Sequence, residues 1–172
     1  RHLEAQQPHH ALEILRRAAQ PSRAPASIHA ALGATYGMLG DTTRALAASR
    51  LALEKDPLLL EAYQTVVQLH LQKGQVAEAR QALEKAEQQP ATTPHFPLGI
   101  AELYGRHFAA LGGDTADRQR RVIALLRRAA EFKPEDPFTL QRLAAGYQVA
   151  GEFSEAIKIY AQLLAQFPDW PG

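Results

Sequence analysis

The sequence contains no cysteine, and its 172 residues include one methionine and one tryptophan. Without thiols the chain forms no disulfide, a composition that suits a reducing or an oxidising compartment. There is no apolar run of about 18 residues, so we expect no membrane span in this segment. Charges nearly balance, with 19 basic and 18 acidic residues and a net charge of +1. This balance gives no general attraction to nucleic acid or to a membrane surface.

Groupings of residues that carry catalysis or bind metals are also scarce. No two of the seven histidines stand four residues apart on a helix with a third ligand, and His9 and His10 are adjacent. There is no glycine-rich phosphate loop and no Ser/His/Asp arrangement, and Gly112-Gly113 alone is typical of a helix end. We therefore expect no metal, no cofactor and no enzymatic activity in these residues.

The residues that are abundant indicate many short helices. Hydrophobic residues make up 46% of the chain, enough to bury a core. The eleven prolines fall mostly between helical runs, and few segments alternate β-branched and polar residues. The sequence therefore predicts an all-α fold.

A period of 34 residues runs through the chain. Ala45 is followed by Ala79 at this distance, Ala52 by Ala86, and Gly40 by Gly74. A fixed period with small residues at set offsets is typical of stacked helix–turn–helix pairs. Alanine or glycine is needed where two helices approach closely, whereas a glycine after a helix readily adopts the left-handed conformation.

These residues resemble the tetratricopeptide repeat (TPR) family. The family places a large apolar residue, a small residue and an aromatic on the first helix of each repeat. It places small residues on the second helix and a proline after it. The first full copy and the last copy fit best, through Leu32, Gly33, Tyr36, Ala45, Ala52 and Pro57, and through Leu143, Ala144, Tyr147, Ala156, Tyr160 and Pro168.

The resemblance implies a right-handed α-solenoid that forms a single TPR domain over residues 1–172. We predict helices near 26–39, 42–55, 58–73, 75–88, 137–150 and 152–166. In the third repeat the spacing grows to 43 residues, from Ala79 to Val122. We therefore expect both of its helices to be about a turn longer. The predicted units are a half repeat with one helix at 7–20, followed by four pairs at 26–59, 60–93, 94–136 (extended by nine residues) and 137–170.

In this family the first helices line a concave groove that binds partners. Chaperone-binding members clamp a terminal carboxylate with a set of lysines and asparagines. Only Arg142 fits that set, so a chaperone adaptor is not indicated. The resemblance implies a partner-binding groove formed by Ser27, Ala34, Met38, Glu61, Gln64, Gln68, Gln72, His95, Glu102, Arg106, Phe138, Gln141, Arg142 and Gln148.

The most favoured function is a non-enzymatic scaffold that binds a peptide or partner protein in this groove. The alternative is a positioning module of a larger enzyme or of an envelope or polysaccharide-export assembly. The arginines of the basic helix 115–132 are interpreted as a solvated convex face, and the alternative is contact with an acidic partner or a phosphate. Composition suggests a bacterial protein, cytoplasmic or periplasmic.

The two ends of the array are predicted to be open. The chain begins with Arg1 rather than methionine, so we expect a segment of a longer array. Residues 7–20 lack a first-helix partner, while Leu163, Leu164 and Phe167 lack a following helix. Because terminal repeats need a polar outer face, we expect either self-association through these ends or a tail after Phe167 that folds back over them.

Overall fold

The computed structural model describes residues 2–21 and 23–169, with side chains from residue 8 onward. The described residues form nine α-helices and no strand, as the sequence predicted. The helices are α1 (His2–Ala18), α2 (Ala26–Met38), α3 (Thr42–Lys55), α4 (Leu60–Gln72), α5 (Val76–Glu87), α6 (His95–Arg106), α7 (Thr115–Glu131), α8 (Pro137–Val149) and α9 (Phe153–Gln166).

The chain divides into two compact units, residues 1–89 and 90–172. In the first unit α1 packs on α2, α2 pairs with α3, and α4 packs against both before pairing with α5. In the second unit α6 pairs with α7, and α8 packs against both before pairing with α9. Each unit thus repeats one arrangement, in which a new helix rests on the preceding pair. One continuous domain over residues 1–172 stays a prediction.

Helix boundaries follow local signals in the sequence. Asp41 caps α3 by accepting a hydrogen bond from the Arg44 backbone N–H at 3.0 Å. Asp114 caps α7 in the same way, through the Ala116 backbone N–H at 2.9 Å. The glycines that follow α2, α4 and α8 have φ of 78°, 71° and 81°. The predicted bounds of α2–α5, α8 and α9 agree with the structure to within two residues.

Small residues stand where the helices approach each other. Ala45, Ala79 and Ala156 are buried, as predicted for the contact face of each second helix. A Cβ added to Gly33 would lie 2.3 Å from Ser49 Oγ and 3.1 Å from the Ala45 carbonyl oxygen. A larger side chain at position 33 would therefore force Ser49 or the backbone of α3 to shift.

The extension of the third repeat is placed differently from the prediction. Helix α7 has 17 residues and is longer than α3, α5 and α9, the second helices of the other pairs, as expected. Helix α6 has only 12 residues, so the prediction of a longer first helix is wrong. The added residues form turns between 107 and 114, because Leu111 folds into the core there and Gly112 and Gly113 have positive φ.

Two predictions at the ends of the chain are also corrected. Helix α1 begins at His2 rather than near residue 7 and carries Pro8 inside it, because residues 3–6 are good helix formers. Leu163 is buried at 5% exposure rather than uncovered, since it shares a face with Ala156 and packs in the α8–α9 pair. Leu164 is 65% exposed, as predicted, and Phe167 is half-buried.

Candidate functional site

The predicted groove residues of the first unit lie on α2 and α4, which pack against each other. Met38, the large apolar residue among them, is 75% exposed. Ala34 and Gln64 are half-buried. The remaining members are exposed, namely Ser27, Glu61, Gln68 and Gln72.

In the second unit a cavity of about 310 Å³ lies between α6 and α8, and we call it the α6–α8 groove. It brings together three of the predicted residues, Glu102, Arg106 and Arg142. Apart from these charged side chains the lining is small or apolar. The complete lining is Ala101, Glu102, Gly105 and Arg106 from α6, Val122 and Leu126 from α7, and Arg142, Ala145, Gly146 and Val149 from α8.

Helical spacing explains why these residues share the groove. On each of α6 and α8 they recur at three- and four-residue intervals, which places them on one helix face. Gly146 lets α8 lie close to α7, because a Cβ added there would be 2.6 Å from Leu126 Cδ2. Leu126 is fully buried, whereas Val149 is 82% exposed at the edge of the groove.

An ion pair joins the two helices across the groove. Arg142 donates from Nε to Glu102 Oε1 and from Nη2 to Glu102 Oε2, each at 2.8 Å. The hydrogen bonds to Glu102 are the main reason that the pKa of Arg142 is raised. The guanidinium also lies 5.7 Å from the centre of the Phe138 ring. Arg142, the residue that fitted the family's carboxylate clamp, is therefore already engaged by a carboxylate of this chain.

Arg106, the other arginine of the α6–α8 groove, is not bonded to Glu102. It follows Glu102 by four residues on α6, a spacing at which oppositely charged side chains pair on a helix. Both Glu102 oxygens, however, accept hydrogen bonds from Arg142. Arg106 is exposed and forms no ion pair with the described residues. The groove therefore carries a cation available to a ligand.

A second cavity of about 370 Å³ adjoins the α6–α8 groove, because both are lined by Gly105, Val122 and Val149. We call it the insertion cavity, since several of its lining residues lie in or next to the extension of the third repeat. These residues were not predicted to form a site, although the nine extra residues of the third repeat lie beside it. Its other lining residues are Phe108, Thr115, Gln119 and Ala150.

The insertion cavity is held in shape by polar contacts. Arg118 is buried, donates to the carbonyl oxygens of Gly112 and Gly113, and lies 4.4 Å from the centre of the Phe108 ring. Gln119 Nε2 donates to the Ala150 carbonyl oxygen at 2.8 Å. These contacts fasten the turn to α7 and join α7 to the end of α8.

The interpretation of the basic helix as a solvated face is therefore wrong for Arg118. Its side chain points inward, because the turn before α7 presents two carbonyl oxygens that need donors. Arg120 and Arg121 do lie outward and pair with Asp117 at 3.4 and 2.9 Å. The hydrogen bond from Arg121 is the main reason that the pKa of Asp117 is lowered.

The other predicted residues of the second unit lie outside both cavities. His95 is exposed at the start of α6, and Gln141 is half-buried. Gln148 is exposed and accepts a hydrogen bond from the Tyr160 hydroxyl at 3.3 Å. Phe138 is exposed beside Arg142. The structure thus gathers only part of the predicted set at one place.

The first unit has a larger cavity of about 560 Å³ between α3, α4 and α5, which sequence reasoning also missed. Its lining mixes both charges, including Arg50, Glu78 and Lys85. His70 lines it too and is buried, with Nδ1 2.9 Å from Gln75 Oε1. Within the part of the chain that the structure describes, no group of His, Asp and Glu could hold a metal ion.

Stacked helix pairs with small residues at their contacts define an α-helical repeat protein. No family model matches the chain. It is 20% identical to TTC0263, a thermophilic TPR protein of Thermus thermophilus, and the similarity covers 97% of this chain and 87% of that one with a TM-score of 0.55. The TPR protein YrrB, described as having an unusual peptide-binding site, gives 20% identity, coverage of 92% and 77%, and a TM-score of 0.52. The chain has the tetratricopeptide-repeat fold, and the predicted resemblance is confirmed.

A curated relative is also similar in sequence. Cellulose synthase 1 operon protein C of Komagataeibacter xylinus is 34% identical over 116 residues, or 67% of this chain. The chain spans only 8% of the length of that relative. None of the described helices is both long and apolar enough to cross a membrane.

Proposed function

We propose that this chain is a non-enzymatic interaction module that holds a peptide segment of a partner protein in the α6–α8 groove. The observation that carries the proposal is a preformed cavity with a mostly apolar lining and few polar groups, an arrangement typical of binding sites. The bidentate pair of Glu102 and Arg142 already joins its two walls. Binding therefore requires little ordering of the scaffold.

The predicted surface on α2 and α4 extends this proposal to the first unit. Its exposed glutamines can donate and accept hydrogen bonds with the backbone of an extended segment. Met38 adds a flexible apolar contact of the kind used by adaptable binding surfaces. Glu102, Arg106 and Arg142 line a cavity together, so the α6–α8 groove is the first to be tested.

A random dodecapeptide phage library, panned on the full chain, tests this proposal. Selected peptides are labelled and their affinity is measured by fluorescence anisotropy. Val149→Lys places a charge at the edge of both cavities and is expected to weaken binding by about tenfold or more, equivalent to ~1.4 kcal/mol. Phe153→Lys, an exposed apolar residue outside the cavities, is the matched control. Peptides that bind both variants equally would contradict the proposal.

A second candidate function rests on the sequence similarity to a protein of a cellulose synthase operon. In this case the chain positions components of a polysaccharide-producing assembly. The test is the deletion of these residues from the full-length protein in its source strain, followed by measurement of secreted cellulose and of synthase abundance. We expect cellulose output to fall while synthase abundance is unchanged. An unchanged output would reject this function.

A further inference from the structure

We infer that the α6–α8 groove and the insertion cavity together select an acidic peptide, one that carries a carboxylate side chain between two bulky apolar side chains. The inference rests on the proposed function and names the class of partner. Arg106 receives the carboxylate, and each cavity receives one apolar side chain.

The charge preference follows from the ion pair across the groove. Glu102 is neutralised by Arg142, since both of its oxygens are bonded to that guanidinium. Arg106 remains at the edge of the same cavity without an ion pair among the described residues. The groove therefore has one net positive charge next to an apolar lining. An arginine binds a carboxylate through a planar, two-pronged contact.

The preference for two apolar side chains follows from the adjoining cavities. Their volumes are about 310 and 370 Å³, and they meet at Gly105, Val122 and Val149. Val149, whose side chain is 82% exposed, would lose most of that exposure beneath a ligand that fills both. The pair of cavities therefore offers two neighbouring places for side chains.

The second place exists because of the nine-residue extension. The turn supplies Phe108, and the start of the lengthened α7 supplies Thr115 and Gln119. Buried Arg118 fixes the turn through two carbonyl oxygens and the Phe108 ring. A repeat without the extension would lack this part of the surface, so the extension sets the specificity of the groove.

The same dodecapeptide library, panned on the full chain, distinguishes this inference from the proposed function. We expect selected peptides to contain Asp or Glu between two of Leu, Ile, Phe and Trp. Replacing the acidic residue by its amide is expected to weaken binding about fivefold at low salt, and the difference is expected to shrink as ionic strength rises. Arg106→Gln is expected to remove this difference. Arg127→Gln, which changes an exposed arginine of α7 outside both cavities, is expected to retain it.

A coupled measurement tests the insertion cavity. Phe108→Ala is combined with peptides in which one apolar residue at a time is changed to alanine, and the binding free energy of each combination is measured. We expect the losses of binding free energy to be less than additive only for the peptide residue that enters this cavity. Circular dichroism of Phe108→Ala checks that the variant is folded. If it is not, Thr115→Arg, at an exposed position of the lining, is expected to reduce binding of the same peptides.

The outcomes of these experiments distinguish the inference from the proposed function. Peptides that lose affinity with Val149→Lys but carry no acidic residue, or do not respond to Arg106→Gln, would overturn the inference and leave the proposed function standing. Peptides with a single apolar anchor that ignore the insertion cavity would also overturn it. Peptides insensitive to Val149→Lys, or a library that yields no binder, would overturn both.

Discussion

The contact between Gly33 and Ser49 allows a quantitative test of how closely α2 and α3 pack. A Cβ at position 33 would lie 2.3 Å from Ser49 Oγ, 3.1 Å from the Ala45 carbonyl oxygen and 3.3 Å from the Ser49 backbone N. Ser49 is fully buried, and its Oγ has no hydrogen-bond partner among the described residues. Gly33→Ala therefore forces a buried group to move.

Two opposing effects set the size of the change. Overpacking a core costs about 1–3 kcal/mol. Alanine is favoured over glycine inside a helix by about 1 kcal/mol. We therefore expect Gly33→Ala to lower the free energy of unfolding by about 1 kcal/mol. Gly33→Val adds further volume and loses the helix preference, so its effect is expected to be larger.

Ser49→Ala provides the second side of a double-mutant cycle. It removes a buried hydroxyl without a partner among the described residues, so we expect the single variant to be neutral or more stable by about 1 kcal/mol. In the double variant the shortest contact is absent, and only those at 3.1 and 3.3 Å remain. We expect a favourable coupling energy of about 1 kcal/mol, within the range for residues in contact.

Urea denaturation followed by far-ultraviolet circular dichroism measures these free energies. Because the chain forms two compact units, the transition of the unit that contains residues 33 and 49 is the one to compare. If Gly33→Ala raised stability, or if the coupling energy were zero, the close approach of α2 and α3 would not be the reason for glycine at this position.

Three further predictions concern packing, pH dependence and association. Because Leu143 is buried, Leu143→Ala is expected to lower the free energy of unfolding, measured by urea denaturation, by about 2–5 kcal/mol. A decrease of less than about 0.5 kcal/mol would contradict its burial. Asp136 caps α8 by accepting a hydrogen bond from the backbone N–H of Thr139, and this bond lowers the pKa of Asp136. The stability that the cap contributes is therefore complete above the usual pKa of aspartate. It is lost as the pH falls through the lowered pKa. Asp136→Asn is expected to reduce this acid dependence in thermal melts at several pH values; an unchanged dependence would contradict the assignment. Light scattering over a concentration series is expected to show self-association, weakened by Leu164→Lys; a monomer at every concentration would refute it.

Much of the fold was predictable because local chemistry and packing specify the same helices. The 34-residue period placed Ala45, Ala79 and Ala156 on contact faces, and all three are buried. Asp41 and Asp114 belong to a residue type that favours helix caps, and each accepts a hydrogen bond from a backbone N–H at the start of its helix. The third repeat was harder. Extra residues between two helices can lengthen either helix or form a turn, and the buried contacts of Leu111 and Arg118 decide between these arrangements.

The site was only partly predictable, because position on a helix does not determine which side chains pair. The repeat offsets assigned Glu102 and Arg106 to one groove, and both residues line the same cavity. They did not predict that Glu102 bonds Arg142 across the groove and leaves Arg106 without an ion pair among the described residues. Likewise, the arginines of α7 look alike in sequence, yet Arg118 is buried because the preceding turn offers it acceptors.

The fixed turn between α6 and α7 has a consequence for the timing of recognition. Its residues are fastened to α7 before a ligand arrives, so no loop needs to close after encounter. Ligands of similar charge are then expected to associate at similar rates and to differ mainly in their rates of dissociation. Residence time, rather than the rate of capture, is therefore the quantity that changes in this turn would alter.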